Sequence, residues 1–150
     1  MTGSPTSGTF HDGAHHMTMR VYYEDTDTAG IVYYANYLRF IERARTEMLR
    51  LCGIHQHAQM NAAPEDRISF AVTRCEIDYV MPAHLDDVIE VKTTVTRMRG
   101  ASIHMEQEVF RGDQLLIKSL VKVACLNDNG MPTRLPSNFV QMARELLPIE

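Results

Sequence analysis

The stretch YYEDTDTAGIVYYANYLRFIERARTEMLRLCG, residues 22 to 53, passes from an acidic cluster through a glycine and an aromatic run into a strong helical repeat. Tyr37, Phe40, Ile41, Ala44, Met48 and Leu51 recur at helical spacing, with Arg39, Glu42, Arg43, Arg45, Glu47 and Arg50 between them. The spacing predicts one long amphipathic helix from about Tyr34 to Cys52, roughly 27 Å long at a rise of 1.5 Å per residue. Gly53 stands where a left-handed C-terminal cap is expected. The charged positions read as a solvated or subunit-facing surface, with Glu47 and Arg43, or Glu42 and Arg39, at pairing distance.

On the N-terminal side, Arg20 to Glu24 carries a β-branched residue and two tyrosines suited to a short strand that delivers the acidic cluster. Residues 1 to 17, rich in Gly, Ser, Thr and His, read as a disordered, mobile arm, so the folded domain is expected over 18–150. On the C-terminal side, HQHAQMNAAPEDR reads as a loop with one helical turn, and from Ile68 the period switches to two. Cys75, Ile77 and Tyr79 alternate with Arg74, Glu76 and Asp78, and Ile89, Val91, Thr93 and Val95 alternate with polar neighbours. Runs at Ile103 to Phe110 and Leu115 to Leu126 follow, separated by Arg99-Gly100 and Arg111-Gly112-Asp113, which predicts an antiparallel meander. A closing helix is expected within Pro136 to Leu147. One strand, one long helix and four long strands make an α+β plan in which a curved antiparallel sheet covers a single helix.

Composition narrows the function. A chain of 150 residues, 45% hydrophobic, fits one ordinary domain, and a net charge of -4 supplies no global basic field for nucleic acid or an anionic membrane. Cys52, Cys75 and Cys125 are odd in number and form no CxxC pair, which argues against a disulfide framework or a zinc site and for a reducing, cytoplasmic setting. No apolar run reaches the roughly 18 residues of a membrane helix.

The cluster EDTDTAG admits three readings from its residues. Asp25, Asp27 and Gly30 match positions of a calcium loop, but Ala29 and Asn36 stand where further oxygen ligands belong, and a strand leads in. A D-x-D pair alone is too common to assign a metal. An acidic turn placing charge near a helix N-terminus accounts for Glu24 or Asp25. It leaves Gly30, Ile31, Val32, Tyr33 and Tyr34 unexplained.

RVYYEDTDTAGIVYYANYLRFIERARTEMLR closely resembles the signature of hotdog-fold acyl-CoA thioesterases of the YbgC, Tol-Pal-associated type, and more distantly that of 4-hydroxybenzoyl-CoA thioesterase. YVMPAHLDDVIEV, TRMRGASI and a closing RLP extend the resemblance from about Met19 to the C-terminus. It implies a hotdog fold, edge-to-edge dimers and often dimers of dimers, acyl-CoA as substrate, no metal and no cofactor. A partnership with Tol-Pal components or with acyl-carrier protein belongs to the same implication. It also implies a catalytic aspartate at Asp27 and, at Tyr34, the backbone amide that receives the substrate carbonyl. Many YbgC-type members carry His where this chain has Tyr34, whereas the hydroxybenzoyl relatives carry Tyr.

The residues themselves suit that chemistry. Thioester hydrolysis needs an oxygen nucleophile or base near the carbonyl carbon and a positive site for the developing oxyanion. Amides opening a helix near Tyr34 are unpaired and carry the positive end of the macrodipole. Asp27, seven positions earlier, can attack the carbonyl directly or activate water, and the sequence is compatible with both. Gly30 allows a tight turn and close approach of the acyl group. Tyr23 and Asn36 are candidates to position water or the carboxylate. Arg97, Arg99 and Gly100 at a hairpin, with Arg134, are candidates to hold the CoA phosphates. A non-enzymatic acyl-binding or scaffold module of the same fold, and a hotdog dehydratase or a thioesterase acting on acyl-carrier protein, are the competing readings. His55-Gln56-His57 lacks a third metal ligand, and His84 and His104 read as turn and strand residues.

Overall fold

The computed structural model describes Gly3 and residues 5 to 149. Its strands are β1 (Thr9–His11), β2 (Ala14–Arg20), β3 (Ser69–Tyr79), β4 (Val88–Arg99), β5 (Ser102–Arg111) and β6 (Gln114–Leu126). Its helices are α1 (Tyr37–Leu51), α2 (Gln56–Met60) and α3 (Ser137–Leu146), with short 3-10 turns at Tyr23–Asp25, Tyr34–Asn36 and Pro64–Asp66. All six strands join one antiparallel sheet in the order β1-β2-β4-β5-β6-β3. Register shifts at Val72/Arg74, Val95/Arg97 and Val109/Phe110 add local twist, which helps the sheet curve around α1.

The expected long helix is present, entered through a 3-10 turn at Tyr34 and stopped at Gly53, whose φ of 96° only glycine adopts without strain. Tyr37, Phe40, Ile41, Ala44, Met48 and Leu49 are its buried face. Leu49 takes the core place expected for Leu51, which is half-buried. The inner positions of β4, β5 and β6 meet this face: Ile89, Val91, Val95, Ile103, Met105, Val109, Ile117, Val121 and Val123 are all buried. In the middle of this layer lies a polar row, Thr93, Gln107 and Ser119, also buried. Ser119 Oγ donates to the Gln107 carbonyl at 2.7 Å, and Gln107 Nε2 donates to Thr93 Oγ1 at 3.0 Å and to the Ile41 carbonyl at 2.9 Å. Since an unpaired buried polar group costs about 1–3 kcal/mol, this pairing is what makes the row tolerable beneath the helix.

Three expectations need correction. Residues 9 to 17, expected within the mobile arm, form the β1–β2 hairpin at the sheet edge, while residues 1, 2 and 4 lie outside the described residues. The cause is the Asp12-Gly13 pair, both at positive φ (52° and 76°), the geometry that a two-residue hairpin turn of type I′ requires. His15, fully buried, fastens the hairpin to the preceding chain by donating from Nε2 to the Ser7 carbonyl at 2.7 Å. The strand expected at Arg20 to Glu24 ends at Arg20, and the acidic cluster follows in the 3-10 turn. Finally, only β4, β5 and β6 form a meander. β3 crosses to pair with β6, so its alternating side chains are uncovered at the edge, with Cys75 and Tyr79 exposed and Ile77 half-buried.

The turn before β4 backs the chain that leads into α1. Ile31 bridges to His84, Leu85 N–H donates to the Gly30 carbonyl at 3.0 Å, and Val32 N–H donates to the Ala83 carbonyl at 2.9 Å. Asp87 holds this turn: its Oδ2 accepts from the His84 amide at 2.8 Å and from Arg111 Nη1 at 2.7 Å. Burial opposes its ionisation, but the His84 amide and the Arg111 guanidinium outweigh burial and hold the carboxyl below the usual range. Its stabilisation is therefore fully present above the ordinary carboxylate pKa of about 4 and is lost as pH falls through the lower folded-state value. Asp87→Asn is expected to lower stability to urea by about 1–3 kcal/mol at pH 7. The gap to the parent should narrow steadily below about pH 4; an unchanged gap at low pH would remove Asp87 from this role.

Candidate active site

Two carboxylates in the acidic cluster have opposite environments. Asp25 is buried, and its Oδ2 accepts from the Tyr22 amide at 2.8 Å while its Oδ1 accepts from Asn36 Nδ2 at 2.9 Å. Its carbonyl accepts from the Tyr33 amide at 3.1 Å. One residue thus ties the chain leaving β2 to the chain entering α1. Asp27 is exposed at the tip of the loop so formed. Its Oδ1 accepts from the Ala29 amide at 2.8 Å, and its own amide donates to the Ile31 carbonyl at 2.9 Å. Gly30, at φ 79°, closes this turn by donating to the Asp27 carbonyl at 3.1 Å.

Asp27 borders a cavity of about 350 Å³ together with Glu24, Thr26, Tyr33, Ala35, Asn36 and Arg39. The cavity therefore meets the opening of the helix on both sides of Tyr34. Among the described residues, loop and turn hydrogen bonds occupy the amides of Asp25, Asp27, Gly30, Val32, Tyr33 and Asn36, but not those of Tyr34 and Ala35. A free amide at a helix start is a ready oxyanion donor, and the side chain of Tyr34, exposed against Tyr33 and Tyr79, plays no part in that. Among the described residues no group of three His, Cys, Asp or Glu side chains is arranged to hold a metal ion.

The other candidates distribute unevenly. Asn36 reaches the cavity, but its Nδ2 is committed to Asp25. Tyr23 is 83% exposed and does not line the cavity. Arg97, Arg99, Gly100 and Arg134 are all exposed at the opposite end of the protomer. The Asp27 loop docks at the Val88 end of β4 and Arg99 ends that strand, so eleven steps of about 3.3 Å, roughly 36 Å of strand contour, lie between them. There Arg99, Gly100 and Arg134 share a cavity of about 270 Å³ with Arg144 of α3. No carboxylate lies within ion-pair distance of these three arginines among the described residues. Arg39 and Arg144 were missed as site residues from sequence. Arg39 could have been found one helical turn after Ala35, whereas Arg144 is joined to the hairpin only by tertiary structure.

Asp25→Ala should leave the Asn36 amide group and the Tyr22 N–H without partners, at a cost of about 1–3 kcal/mol. Hydrogen exchange at the Tyr33 amide, which donates to the Asp25 backbone, is expected to accelerate selectively as the loop loosens. Unchanged protection there would show that the clasp does not set the loop.

The thioesterase superfamily model matches residues 29–118. The Acyl-CoA thioester hydrolase YbgC of Escherichia coli is 42% identical over 124 residues, covering 81% of this chain and 90% of that protein. The Acyl-CoA thioesterase YbgC of Haemophilus influenzae is 44% identical over 116 residues, covering 77% and 83%. Among solved structures, a probable thioesterase from Bartonella henselae superposes with TM-score 0.78 at 37% identity, covering 82% of this chain and 99% of that one. A 1,4-dihydroxy-2-naphthoyl-CoA thioesterase from Synechocystis shares the fold alone, with TM-score 0.80 at 22% identity over 89% of this chain and 98% of that one. With its long helix wrapped by a curved antiparallel sheet and a family match over more than half its length, the chain belongs to the thioesterase superfamily and is a thioester hydrolase of the hotdog fold.

Proposed function

We propose that the protein hydrolyses acyl-CoA thioesters to a carboxylic acid and free CoA, with Asp27 acting at the carbonyl carbon and the Tyr34 amide receiving the carbonyl oxygen. The observation that carries this reading is the single cavity shared by Asp27 and the residues on either side of Tyr34. The relatives named as acyl-CoA thioester hydrolases support the substrate class. In one course Asp27 attacks, the C–S bond breaks, CoA leaves as thiolate and takes up a proton, and water then hydrolyses the mixed anhydride. In the other, Asp27 removes a proton from water as it attacks, and the same bond breaks. Either way the oxygen that becomes negative is met by a preorganised backbone donor, a feature worth about 2.7–4 kcal/mol in activation energy. Gly30 keeps the tip of the loop free of a side chain.

The same reading calls for a second copy. CoA carries phosphates, and Arg99, Arg134 and Arg144 with the Gly100 backbone form the basic cluster suited to them, Arg97 flanking it. In one protomer that cluster lies at the opposite end of β4 from the Asp27 loop. β3 is an uncovered edge of eleven residues. Two copies pairing antiparallel along β3 set the Tyr79 end of one beside the Ser69 end of the other, so each Asp27 loop approaches its partner's arginines. Dimers of dimers extend the same arrangement. We place the protein in the cytoplasm, where three unpaired cysteines stay reduced. Association with Tol-Pal components follows from the YbgC resemblance, and acyl-carrier protein is the competing thioester donor.

The test follows thiol release from acyl-CoA. Asp27→Asn should lose turnover by at least about a thousandfold while remaining folded, and a chain with Arg99 and Arg134 both changed to Ala should lose most activity when acyl-CoA is subsaturating. Refolded together, the two inactive chains should recover activity, because one mixed dimer contains an intact site. Full activity of Asp27→Asn would refute the role of Asp27; no thiol release by the unaltered protein would leave a binding module; no recovery on mixing would refute the shared site.

A further inference from the structure

Among the described residues that line the cavity beside Asp27, one carries a positive charge, Arg39 of α1. Its guanidinium is uncommitted. Arg45 turns inward and donates from Nη1 to the buried Gln107 Oε1 at 2.9 Å, and Arg50 lies 3.6 Å from Glu47, but Arg39 has no hydrogen bond or ion pair among the described residues. Glu42, three positions on and at pairing distance in the helix pattern, accepts from Thr46 Oγ1 at 3.0 Å instead. A helical side chain leans back over the turn before its own Cα, so Arg39 overlies Ala35, whose amide has no partner among the described residues. The cation therefore stands at the same end of α1 as the proposed oxyanion donor.

The reaction leaves a place for that charge. The tetrahedral carbon carries four groups: the attacking oxygen, on the side of Asp27; the carbonyl oxygen, which the proposed mechanism gives to the Tyr34 amide; the acyl carbon; and the sulfur of CoA. Of the last two only the sulfur gains charge, because the C–S bond breaks with its electron pair going to sulfur, and the thiolate afterwards takes a proton from water. An alkyl thiol such as that of cysteine has a pKa of about 8.5, above neutrality, and a thiol of high pKa leaves more slowly than one of low pKa. Glu24, exposed on the same cavity, repels a thiolate that forms there. A cation placed beside developing negative charge lowers such a barrier, whereas an acyl chain gains nothing from it.

We propose that Arg39 is a further catalytic residue, which stabilises the thiolate of the leaving CoA as the C–S bond breaks. This inference rests on the hydrolase reading, and its test separates the two. The acyl group that the unaltered protein releases fastest from CoA is joined to thiophenols bearing a nitro, chloro or methoxy group at the para position, which raise the thiol pKa in that order and carry no phosphate; the CoA ester completes the series. Arg39→Met should lower kcat/KM for the nitro ester by less than about threefold, and the loss should grow through the chloro and methoxy esters to about tenfold or more for the CoA ester. Arg39→Gln should behave in the same way, whereas Arg39→Lys, which keeps the charge without the planar fork, should keep part of the rate. Arg39 is exposed, so both neutral variants are expected to fold, which urea unfolding checks. An equal loss on all four esters would overturn the proposal and assign Arg39 to folding or to the carbonyl oxygen. A loss on the CoA ester without a gradient across the three thiophenol esters would overturn it in favour of a grip on CoA itself, and no loss on any ester would overturn it outright. Absence of thiol release from every acyl-CoA by the unaltered protein would instead count against the hydrolase reading.

Discussion

The Asp25 carboxylate, bonded at one oxygen to the Tyr22 amide and at the other to Asn36, fixes where α1 begins relative to the end of β2. Everything in the candidate site depends on that joint. With Asp25 buried as the clasp, the next acid, Asp27, is pushed outward onto the cavity, and the Tyr33 amide is consumed while, among the described residues, the next two along the chain stay free. A helix start held less firmly would leave its amides to fluctuate, and an oxyanion donor that must be reorganised during the reaction loses much of its value. The turn at Ala83 to Asp87, anchored by Arg111, supports the same loop from behind.

The sheet sets a second constraint. Because β4 carries the chain from the Asp27 end of the molecule to the Arg99 end, an isolated protomer holds its candidate acid and its free arginines apart. The uncovered β3 edge, with Tyr79 packed against Tyr34 and Tyr37 at its far end, is continuous with the site. An exposed strand edge of this length is a liability in a monomer, and the proposed pairing with a second copy would both remove the liability and complete the constellation. The inward turn of Arg45 follows from the same architecture, since the sheet presents Gln107 under the helix where a purely apolar layer would have left the guanidinium in solvent.

Much of this was legible in the residues. The helix was readable because a 3.6-residue period is local, and a glycine at position 53 marked its end. The D-x-D-x-x-G-x-V-Y core carried the family, and the helix that follows it pointed to free amides near Tyr34. What was not legible depended on contacts distant in sequence. The crossing of β3 to β6 cannot be seen in alternation alone, and neither can the length of β4 that separates the Asp27 loop from Arg99 or the buried partner of Arg45. The β1–β2 hairpin is different: Asp12-Gly13 was a readable turn, hidden by the Gly, Ser and His composition around it.

The central claim is that Asp27 and the amide of Tyr34 converge on one carbonyl. A crystal structure of Asp27→Asn with an unhydrolysed acyl-CoA measures this directly. The account predicts the thioester oxygen at about 2.7–3.1 Å from the Tyr34 nitrogen, with the substituted side chain at position 27 beside the carbonyl carbon. A thioester bound elsewhere, or bound with its oxygen turned away from the helix start, would contradict it.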